Sequence, residues 1–214
     1  MQKIKIHEIY RSVQGESTHV GRPCTFVRTS GCKLRCTWCD TGHAYRDGTW
    51  MDLESIISQV RELKVPLVEI TGGEPMEQEH IISLMQDLLD EGFEVLLETG
   101  GHILCDKVPS KVRKIIDMKC PASKMDRKND YGNLNFLKSH DEVKFVIQDR
   151  HDFEWSVNLV EQYDLTNKAT VLFSPVYGLM NYSLLVEWIL KSEIDVRFQI
   201  QMHKVIWDPE ATGV

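Results

Sequence analysis

The segment DLESIISQVRELKVPLVEITGGEP, residues 52–75, carries the pattern that indicates the fold. Its first part places Leu53, Ile56, Ile57, Val60 and Leu63 at helical spacing, which predicts a helix over 52–64 with one apolar face. The run PLVEI, residues 66–70, then predicts a short buried strand. A helix that leads directly into a strand is the repeating unit of a parallel α/β sheet.

The same alternation extends in both directions along the chain. Further strands are predicted over 3–10, 23–30, 93–98, 112–118, 142–148, 169–173 and 195–201, and further helices over 80–92, 151–163 and 181–191. A complete eight-unit barrel takes about 250 residues, whereas this chain has 214. We therefore expect a single domain, 1–214, with a short N-terminal strand extension and an α/β fold whose mostly parallel strands form a partial, open barrel.

Composition narrows the possible functions. With 42% hydrophobic and 27% charged residues, the chain resembles an ordinary globular protein, and no apolar run reaches the ~20 residues of a membrane span. The net charge of −7 (25 basic minus 32 acidic residues) argues against general nucleic-acid binding. The start, MQKIKIHEIY, lacks the apolar core of a secretory signal, so the expected location is the cytoplasm.

Three cysteines lie close together in SGCKLRCTWCDT, residues 30–41. Buried packing thiols would follow the spacing of a strand or helix face, which this glycine-flanked and charged segment does not. A structural zinc site would need a fourth ligand such as His43 or Cys24. A four-iron cluster held by three thiolates would leave one iron open to a substrate or cofactor. In the cytoplasm, clustered cysteines favour metal binding or catalysis over disulfides.

Six unusual segments follow predicted strands. They are the cysteine loop, TGGEP (71–75), ETGG (98–101), DMK (117–119), SPVYG (174–178) and QMH (201–203), the last at the end of strand 195–201. In a parallel barrel, all strands end at one face, where active sites are built from the following loops. We therefore expect these segments to meet at one mouth.

The C-x3-C-x2-C loop, with an aromatic residue before its last cysteine, resembles that of the radical S-adenosylmethionine (SAM) superfamily, and TGGEP resembles its glycine-rich segment. Within the superfamily, SVQGESTHVGRPCTFVRTSGC (12–32), CDT (39–41), DMKCP (117–121) and QMHKVIW (201–207) are similar to the 7-carboxy-7-deazaguanine synthase family. This similarity runs from about residue 8 to residue 214. One residue departs from the pattern, because Ser17 stands where the family has glycine.

The resemblance implies a lyase that converts 6-carboxy-5,6,7,8-tetrahydropterin into 7-carboxy-7-deazaguanine with loss of ammonia, a step towards queuosine and other 7-deazapurines. It implies a [4Fe-4S] cluster, SAM and Mg²⁺ as cofactors, a flavodoxin- or ferredoxin-type reductant, and a homodimer. A glycyl-radical enzyme activating enzyme shares the cysteine loop and the GGE segment and is the alternative. It would not need the Q-G-E stretch, Arg28 or Thr41.

The resemblance also implies roles for individual residues. The cluster would be held by Cys32, Cys36 and Cys39. SAM would be contacted by Trp38, Cys39, Gly72, Gly73, Glu74, Asp117, Met118, Lys119, Ser174, Pro175, Val176 and Tyr177. The pterin would be contacted by Val13, Gln14, Gly15, Glu16, Arg28, Thr71 and His203. Mg²⁺ would be bound by Thr41, with Asp40 as a competing ligand.

Several of these roles make chemical sense from the side chains alone. Gln14 and Glu16 can complement the donors and acceptors of a pterin edge, and the Arg28 guanidinium suits a carboxylate. Simpler structural roles compete with them. Arg28 could be a salt-bridged strand residue, His203 a core histidine, and Asp117 with Lys119 an ordinary ion pair. The remaining cysteines, Cys24, Cys105 and Cys120, lack cluster spacing and are expected to be packing thiols.

Overall fold

The computed structural model describes residues 2–209 and 211–214, and its centre is one nine-stranded sheet. The strands are Lys3–Val13 (β1), Pro23–Thr29 (β2), Thr49–Asp52 (β3), Leu67–Gly72 (β4), Glu94–Thr99 (β5), Arg113–Met118 (β6), Glu142–Ile147 (β7), Thr170–Pro175 (β8) and Arg197–Phe198 (β9). The α-helices are Leu53–Leu63 (α1), Ile81–Asp90 (α2), Arg150–Gln162 (α3), Tyr182–Ser192 (α4) and His203–Ile206 (α5).

The sheet is open and mostly parallel. Its strand order is β3-β1-β2-β4-β5-β6-β7-β8-β9, so the two ends do not meet. From β2 to β9 each neighbouring pair is parallel, whereas β1 runs antiparallel to both β2 and β3. This arrangement confirms the predicted α/β fold with a partial, open barrel. The prediction that residues 1–214 form a single domain stays a prediction.

Capping side chains mark where the helices begin. Asp52 accepts a hydrogen bond from the Ser55 N–H at 2.9 Å, and Asn181 accepts one from the Leu184 N–H at 3.0 Å. The apolar faces of the four long helices pack on the outer side of the sheet in two clusters. One cluster includes Ile56 and Leu84, and the other includes Phe153. Burial of these faces stabilises the curved sheet and leaves its inner side for the site.

The inner side of the sheet changes from apolar to polar along the strands. Because side chains alternate across a strand, Leu67, Glu69 and Thr71 of β4 share one side. Leu67 packs in a small apolar cluster with Leu96 and Ile115. Nearer the strand ends, the buried residues are charged or polar and include Glu69 and Thr71. The apolar cluster therefore forms a closed base beneath a polar chamber.

Some predicted elements differ from the structure at the ends of the sheet. The predicted strand 195–201 is wrong for most of its length, because β9 pairs with β8 only at Arg197 and Phe198. His203 consequently lies in α5 and not at a strand end. SPVYG does not follow its strand as predicted, since β8 extends to Pro175. Strand β3 was not predicted, because its four residues gain their order from pairing with β1.

No helix in the described part of the chain has the length and apolar character needed to cross a membrane.

Candidate active site

A cavity of about 460 Å³ opens at the carboxyl ends of the parallel strands. All six predicted segments contribute to its lining: Cys32, Cys36 and Cys39; Gly72 and Gly73; Thr99 and Gly100; Asp117 and Lys119; Val176 and Tyr177; Gln201 and His203. The volume falls in the range that encloses small organic ligands. The predicted convergence at one mouth is therefore present in the structure.

The cysteine loop is fixed by backbone contacts to two other segments. The Thr37 N–H donates to the Ser123 carbonyl at 3.2 Å, and the Gly31 N–H donates to the Ala44 carbonyl at 2.8 Å. The Arg35 guanidinium donates to the Cys32 carbonyl at 2.5 Å and lies over the Tyr45 ring at 4.3 Å. These contacts hold Cys32 and Cys36 half-buried and Cys39 exposed.

The three thiols suit a multi-iron cluster better than a single zinc ion. A zinc ion with Zn–S bonds of ~2.3 Å holds its thiolates about 3.8 Å apart. Among the described residues, the grouping of three ligand atoms within 4.8 Å of one another is His7, Glu8 and His43, and it includes no cysteine. His43 is therefore not placed as the fourth ligand of a zinc site with the cysteines. Burial raises the pKa of Cys32 to about 11, so metal binding must displace its proton.

The glycine-rich turn packs against the cysteine loop backbone to backbone. The Glu74 N–H donates to the Gly31 carbonyl at 2.7 Å, and the Gly73 N–H donates to the Thr29 carbonyl at 3.0 Å. A Cβ on Gly73 would overlap the Gly31 carbonyl oxygen and lie 3.2 Å from the Cys32 Cβ. Gly72 has φ of 127°, a region open to glycine. The turn therefore requires both glycines in order to reach the cysteine loop.

The Glu74 side chain lies beneath the cavity and not in its lining. Its carboxylate accepts hydrogen bonds from the Thr99 hydroxyl at 2.7 Å, the Gly100 N–H at 2.8 Å and the Met76 N–H at 3.0 Å. Burial raises the pKa of Glu74 above its usual value. The carboxylate thus anchors the turn, and its contact with SAM stays a prediction. Three more of the predicted SAM-contacting residues lie behind the lining: Met118, Ser174 and Pro175.

A buried charge network forms the inner wall of the cavity. Lys144 Nζ contacts Glu16 at 2.8 Å and Asp117 at 3.4 Å, and it also contacts Glu98. Burial opposes the charge of Lys144, but these three carboxylates together raise its pKa well above its usual value. Behind them, the Gln14 amide donates to Glu69. The wall therefore presents mainly acceptors to a ligand, with Lys144 inside it and Lys119 beside Asp117 at 3.0 Å.

Glu69 and Lys144 were not expected in this wall, and Glu98 was expected at the mouth only as part of ETGG, without a role of its own. All three line the cavity. The available signal was a charged residue in the interior of each of the apolar strands LVEITG, EVLLET and EVKFVI, in addition to the glutamate that begins each of the last two. Charged side chains are rarely buried unless they are paired. A charged residue inside an apolar strand therefore indicates that this face of the strand is exposed to solvent or lines a polar cavity.

Two predicted substrate contacts also have structural partners. Arg28 lines the cavity, while its guanidinium donates to the Glu8 carboxylate at 2.8 Å and to the Tyr10 hydroxyl at 2.8 Å. His203 packs directly on Gly15, where an added Cβ would overlap its imidazole ring. Arg28 and His203 therefore both line the cavity. Arg28 is held by two side chains, and His203 is held by the Gly15 backbone.

The predicted magnesium ligand Thr41 lies at the cavity rim. Its hydroxyl is 3.1 Å from an Asp40 carboxylate oxygen, and the other Asp40 oxygen is 2.7 Å from Lys204 Nζ. Val13, Trp38 and Thr71 also line the cavity. Cys24, Cys105 and Cys120 are buried away from it, as expected for packing thiols.

Comparison with known proteins agrees with this architecture. A model of the radical SAM superfamily matches residues 26–181. A 7-carboxy-7-deazaguanine synthase from Koribacter versatilis is 42% identical over 99% of this chain and 100% of its own length. A protein of the same name from Chlorobaculum tepidum is 39% identical over 99% of this chain and 97% of its own length.

Solved structures share the fold. The crystal structure of QueE from Escherichia coli matches with a TM-score of 0.80 at 20% identity, over 95% of this chain and 96% of that one. An archaeal TYW1 structure matches with a TM-score of 0.61 at 11% identity, over 82% of this chain and 73% of that one.

The open barrel, the cysteine triplet and the matched model define a radical SAM protein. Within that superfamily, the nearly full-length relatives show that the chain belongs to the 7-carboxy-7-deazaguanine synthase family.

Proposed function

We propose that this protein is a radical SAM lyase that converts 6-carboxy-5,6,7,8-tetrahydropterin into 7-carboxy-7-deazaguanine with loss of ammonia. The observation that carries the proposal is the single cavity that brings the three thiols, the glycine turn and the Gln14–Glu16 segment together. The names of the nearly full-length relatives support the same activity. They do not favour the alternative, a glycyl-radical enzyme activating enzyme.

The cysteine triplet fits a cluster with one open iron, since three thiols face the cavity and no fourth cysteine lines it among the described residues. A bound, reduced cluster and SAM would supply the radical chemistry that removes a hydrogen atom from the substrate. The chain's own residues position the two organic molecules. The Gly72–Gly73 turn allows close backbone approach at the cluster, and Trp38 and Tyr177 offer faces for the nucleoside.

The inner wall accounts for recognition of the pterin. A pterin edge carries N–H and amino donors, which Glu16, Glu69 and Glu98 can accept while Gln14 holds Glu69 in place. Lys144 limits the repulsion between Glu16 and Glu98. Arg28 supplies the cation for the substrate carboxylate. The Thr41 hydroxyl offers a hard oxygen to Mg²⁺, which retains water and substrate oxygens as its other ligands.

An anaerobic assay tests the proposal. The cluster-reconstituted, reduced protein is mixed with SAM, Mg²⁺ and 6-carboxytetrahydropterin, and the product is followed by ultraviolet absorption and mass. We expect 7-carboxy-7-deazaguanine with many turnovers per SAM consumed. Arg28→Lys keeps the charge but loses the planar fork, so KM for the pterin should rise while Arg61→Lys, on the surface, behaves as wild type. SAM cleavage without pterin conversion would overturn the proposal.

The electron donor is proposed to be an acidic flavodoxin or ferredoxin. Exposed basic residues lie in the cysteine loop and in or just after the 122–125 segment that it contacts: Lys33, Arg35, Lys124, Arg127 and Lys128. In the described part of the chain, Lys33, Lys124, Arg127 and Lys128 form no ion pair, and the cysteine loop contacts the 122–125 segment directly. Because the whole chain is acidic, this basic surface favours an acidic partner.

A charge-reversal experiment tests this partner. Arg127→Glu/Lys128→Glu should slow reduction by an acidic flavodoxin and leave reduction by dithionite unchanged. The matched control is Lys107→Glu/Lys111→Glu, which changes the net charge equally at a distant exposed site. Equal slowing by both pairs would contradict local docking.

We also propose a homodimer and a cytoplasmic location. Exposed apolar side chains on the C-terminal part, including Leu179, Val205 and Ile206, support an interface between copies. The six free cysteines support a reducing compartment. Sedimentation of the cluster-loaded protein tests the dimer, since a monomer at micromolar concentration would contradict it.

A further inference from the structure

A second group of metal-ligating side chains lies at the cavity mouth, away from the cysteine triplet. It consists of His7 and Glu8 on β1 and His43 in the short turn Gly42–Tyr45. Their ligand atoms all lie within 4.8 Å of one another, and the two imidazole centroids are 5.0 Å apart. The proposed lyase reaction gives His7 and His43 no role, and Glu8 enters it only as the partner of Arg28.

A strand irregularity explains how neighbouring residues reach the same site. Successive side chains of a regular strand point to opposite sides. Here Ile6 pairs with Thr29 while Glu8 pairs with Arg28, so His7 is an extra residue on β1. A bulge of this kind bends the strand and redirects side chains. It brings His7 to the side of Glu8.

The partners of His7 and Glu8 leave a ligand atom free on each. His7 Nδ1 is 3.2 Å from the Asp47 carbonyl oxygen. A carbonyl only accepts, so this nitrogen carries the proton and donates, which leaves the Nε2 lone pair available. Glu8 receives the Arg28 N–H on Oε1 and therefore keeps Oε2 for another partner. A histidine that binds a metal through one ring nitrogen usually donates a hydrogen bond from the other nitrogen to a carbonyl or carboxylate.

We propose that His7, Glu8 and His43 form a binding site for a borderline divalent transition metal, of which Zn²⁺ is the test ion. Two imidazoles and one carboxylate suit zinc, cobalt or nickel, whereas Mg²⁺ requires oxygen ligands. Glu8 and His43 also line the cavity, so an ion bound there would be reached from the cavity. The bound ion cross-links β1 to the turn that directly follows the cysteine loop.

The site needs only a small adjustment to close on an ion. Zinc ligands at ~2.0–2.2 Å lie about 3.4 Å apart in a tetrahedral site. His43 is exposed, so its ring can turn towards His7 without disturbing packed neighbours. His7 and Glu8 are held by the strand and by their own partners.

The test uses the cluster-loaded protein under anaerobic conditions, with its cysteines already occupied. Equilibrium dialysis against Zn²⁺ followed by metal analysis should show one added zinc per chain. His7→Ala and His43→Ala should each weaken zinc binding by at least about a hundredfold, since even the loss of an outer partner weakens such sites 10–100-fold. His151→Ala, which removes an exposed histidine on α3, should bind zinc as wild type does.

Two further measurements identify the ligands. X-ray absorption at the zinc edge should show nitrogen and oxygen at ~2.0–2.1 Å and no sulfur at ~2.3 Å. Zinc should also raise the Tm of the wild type and not that of His43→Ala, because a metal that binds the folded state stabilises it. A sulfur shell, or unchanged affinity in both histidine variants, would overturn the proposal. Neither outcome depends on whether the protein turns over the pterin.

Discussion

Lys144 Nζ lies 2.8 Å from a carboxylate oxygen of Glu16, and this contact joins β7 to the segment that follows β1 across the cavity. The Lys144 side chain is only 5% exposed, so water contributes little to balancing its charge. Burial alone would raise the pKa of Glu16, but Lys144 and His203 reverse this and hold it below its usual value. The pair therefore fixes the Q-G-E segment against the barrel in its charged form.

Replacing Lys144 with methionine should destabilise the fold, because Glu16 and Glu98 lose their cation and Asp117 keeps only Lys119. Removal of one partner from a buried ion pair costs about 3–5 kcal/mol. The double variant Lys144→Met/Glu16→Gln should recover part of this loss. Urea unfolding measures the stability of both variants, and Lys107→Met, at an exposed lysine, is the surface control. A Lys144→Met protein as stable as wild type would show that the carboxylates do not need this partner.

Glu69→Gln should stabilise the protein at neutral pH and much less in acid. Burial, with Glu98 and Glu16 nearby, raises the pKa of Glu69 well above its usual 4.5. At a pH between the usual pKa and the raised one, Glu69 is ionised in the unfolded chain but keeps its proton in the folded chain. The free energy of unfolding of the wild type therefore falls as the pH rises through this range. Glutamine removes this dependence and can still accept from Gln14.

Unfolding of Glu69→Gln should therefore be followed from pH 5 to pH 8. We expect a gain on the order of 1 kcal/mol near neutrality, or about 2–4 °C in Tm for a chain of this size. The surface variant Glu62→Gln should show no such trend. A gain that grew towards acid would have the wrong sign.

Gly73→Ala should break the contact between the glycine turn and the cysteine loop. The added methyl would overlap the Gly31 carbonyl oxygen. Because this oxygen belongs to the main chain, no side chain can rotate to relieve the overlap. We expect a loss of more than about 2 kcal/mol and a lower iron content after reconstitution. Gly42→Ala is the matched control, since its added Cβ would meet only Tyr45 at 3.7 Å. Full iron loading in Gly73→Ala would contradict the prediction.

Ser17→Gly should be more stable than Ser17→Ala by about 1 kcal/mol. Ser17 has φ of 64°, a left-handed backbone conformation that glycine adopts without steric cost. Both variants lose the hydrogen bond from the His19 N–H to the Ser17 hydroxyl, so the difference isolates the backbone strain. At Ser55 in α1 the order should reverse, because alanine is favoured in a helix. Urea unfolding of all four variants measures the difference in stability between glycine and alanine at each position.

The fold was predictable because its signals are local. The helical spacing of Leu53, Ile56 and Val60 and the β-branched strand LVEI do not depend on distant contacts, and both elements appear where expected. Strand β9 was overestimated because an edge strand is limited by its single partner, which offers it pairing at only two residues.

The sequence by itself determined the class of sheet, the strand ends that carry the site, and the cysteine triplet, because spacing and motif are properties of neighbouring residues. Only the tertiary structure decided that Glu69, Glu98 and Lys144 face inward, that Glu74 lies beneath the cavity, and that His43 approaches His7 and Glu8. The physical reason is that a strand has two faces. Which face becomes the chamber depends on the curvature of the whole sheet, and a bulge between Ile6 and Glu8 changes the facing of one histidine.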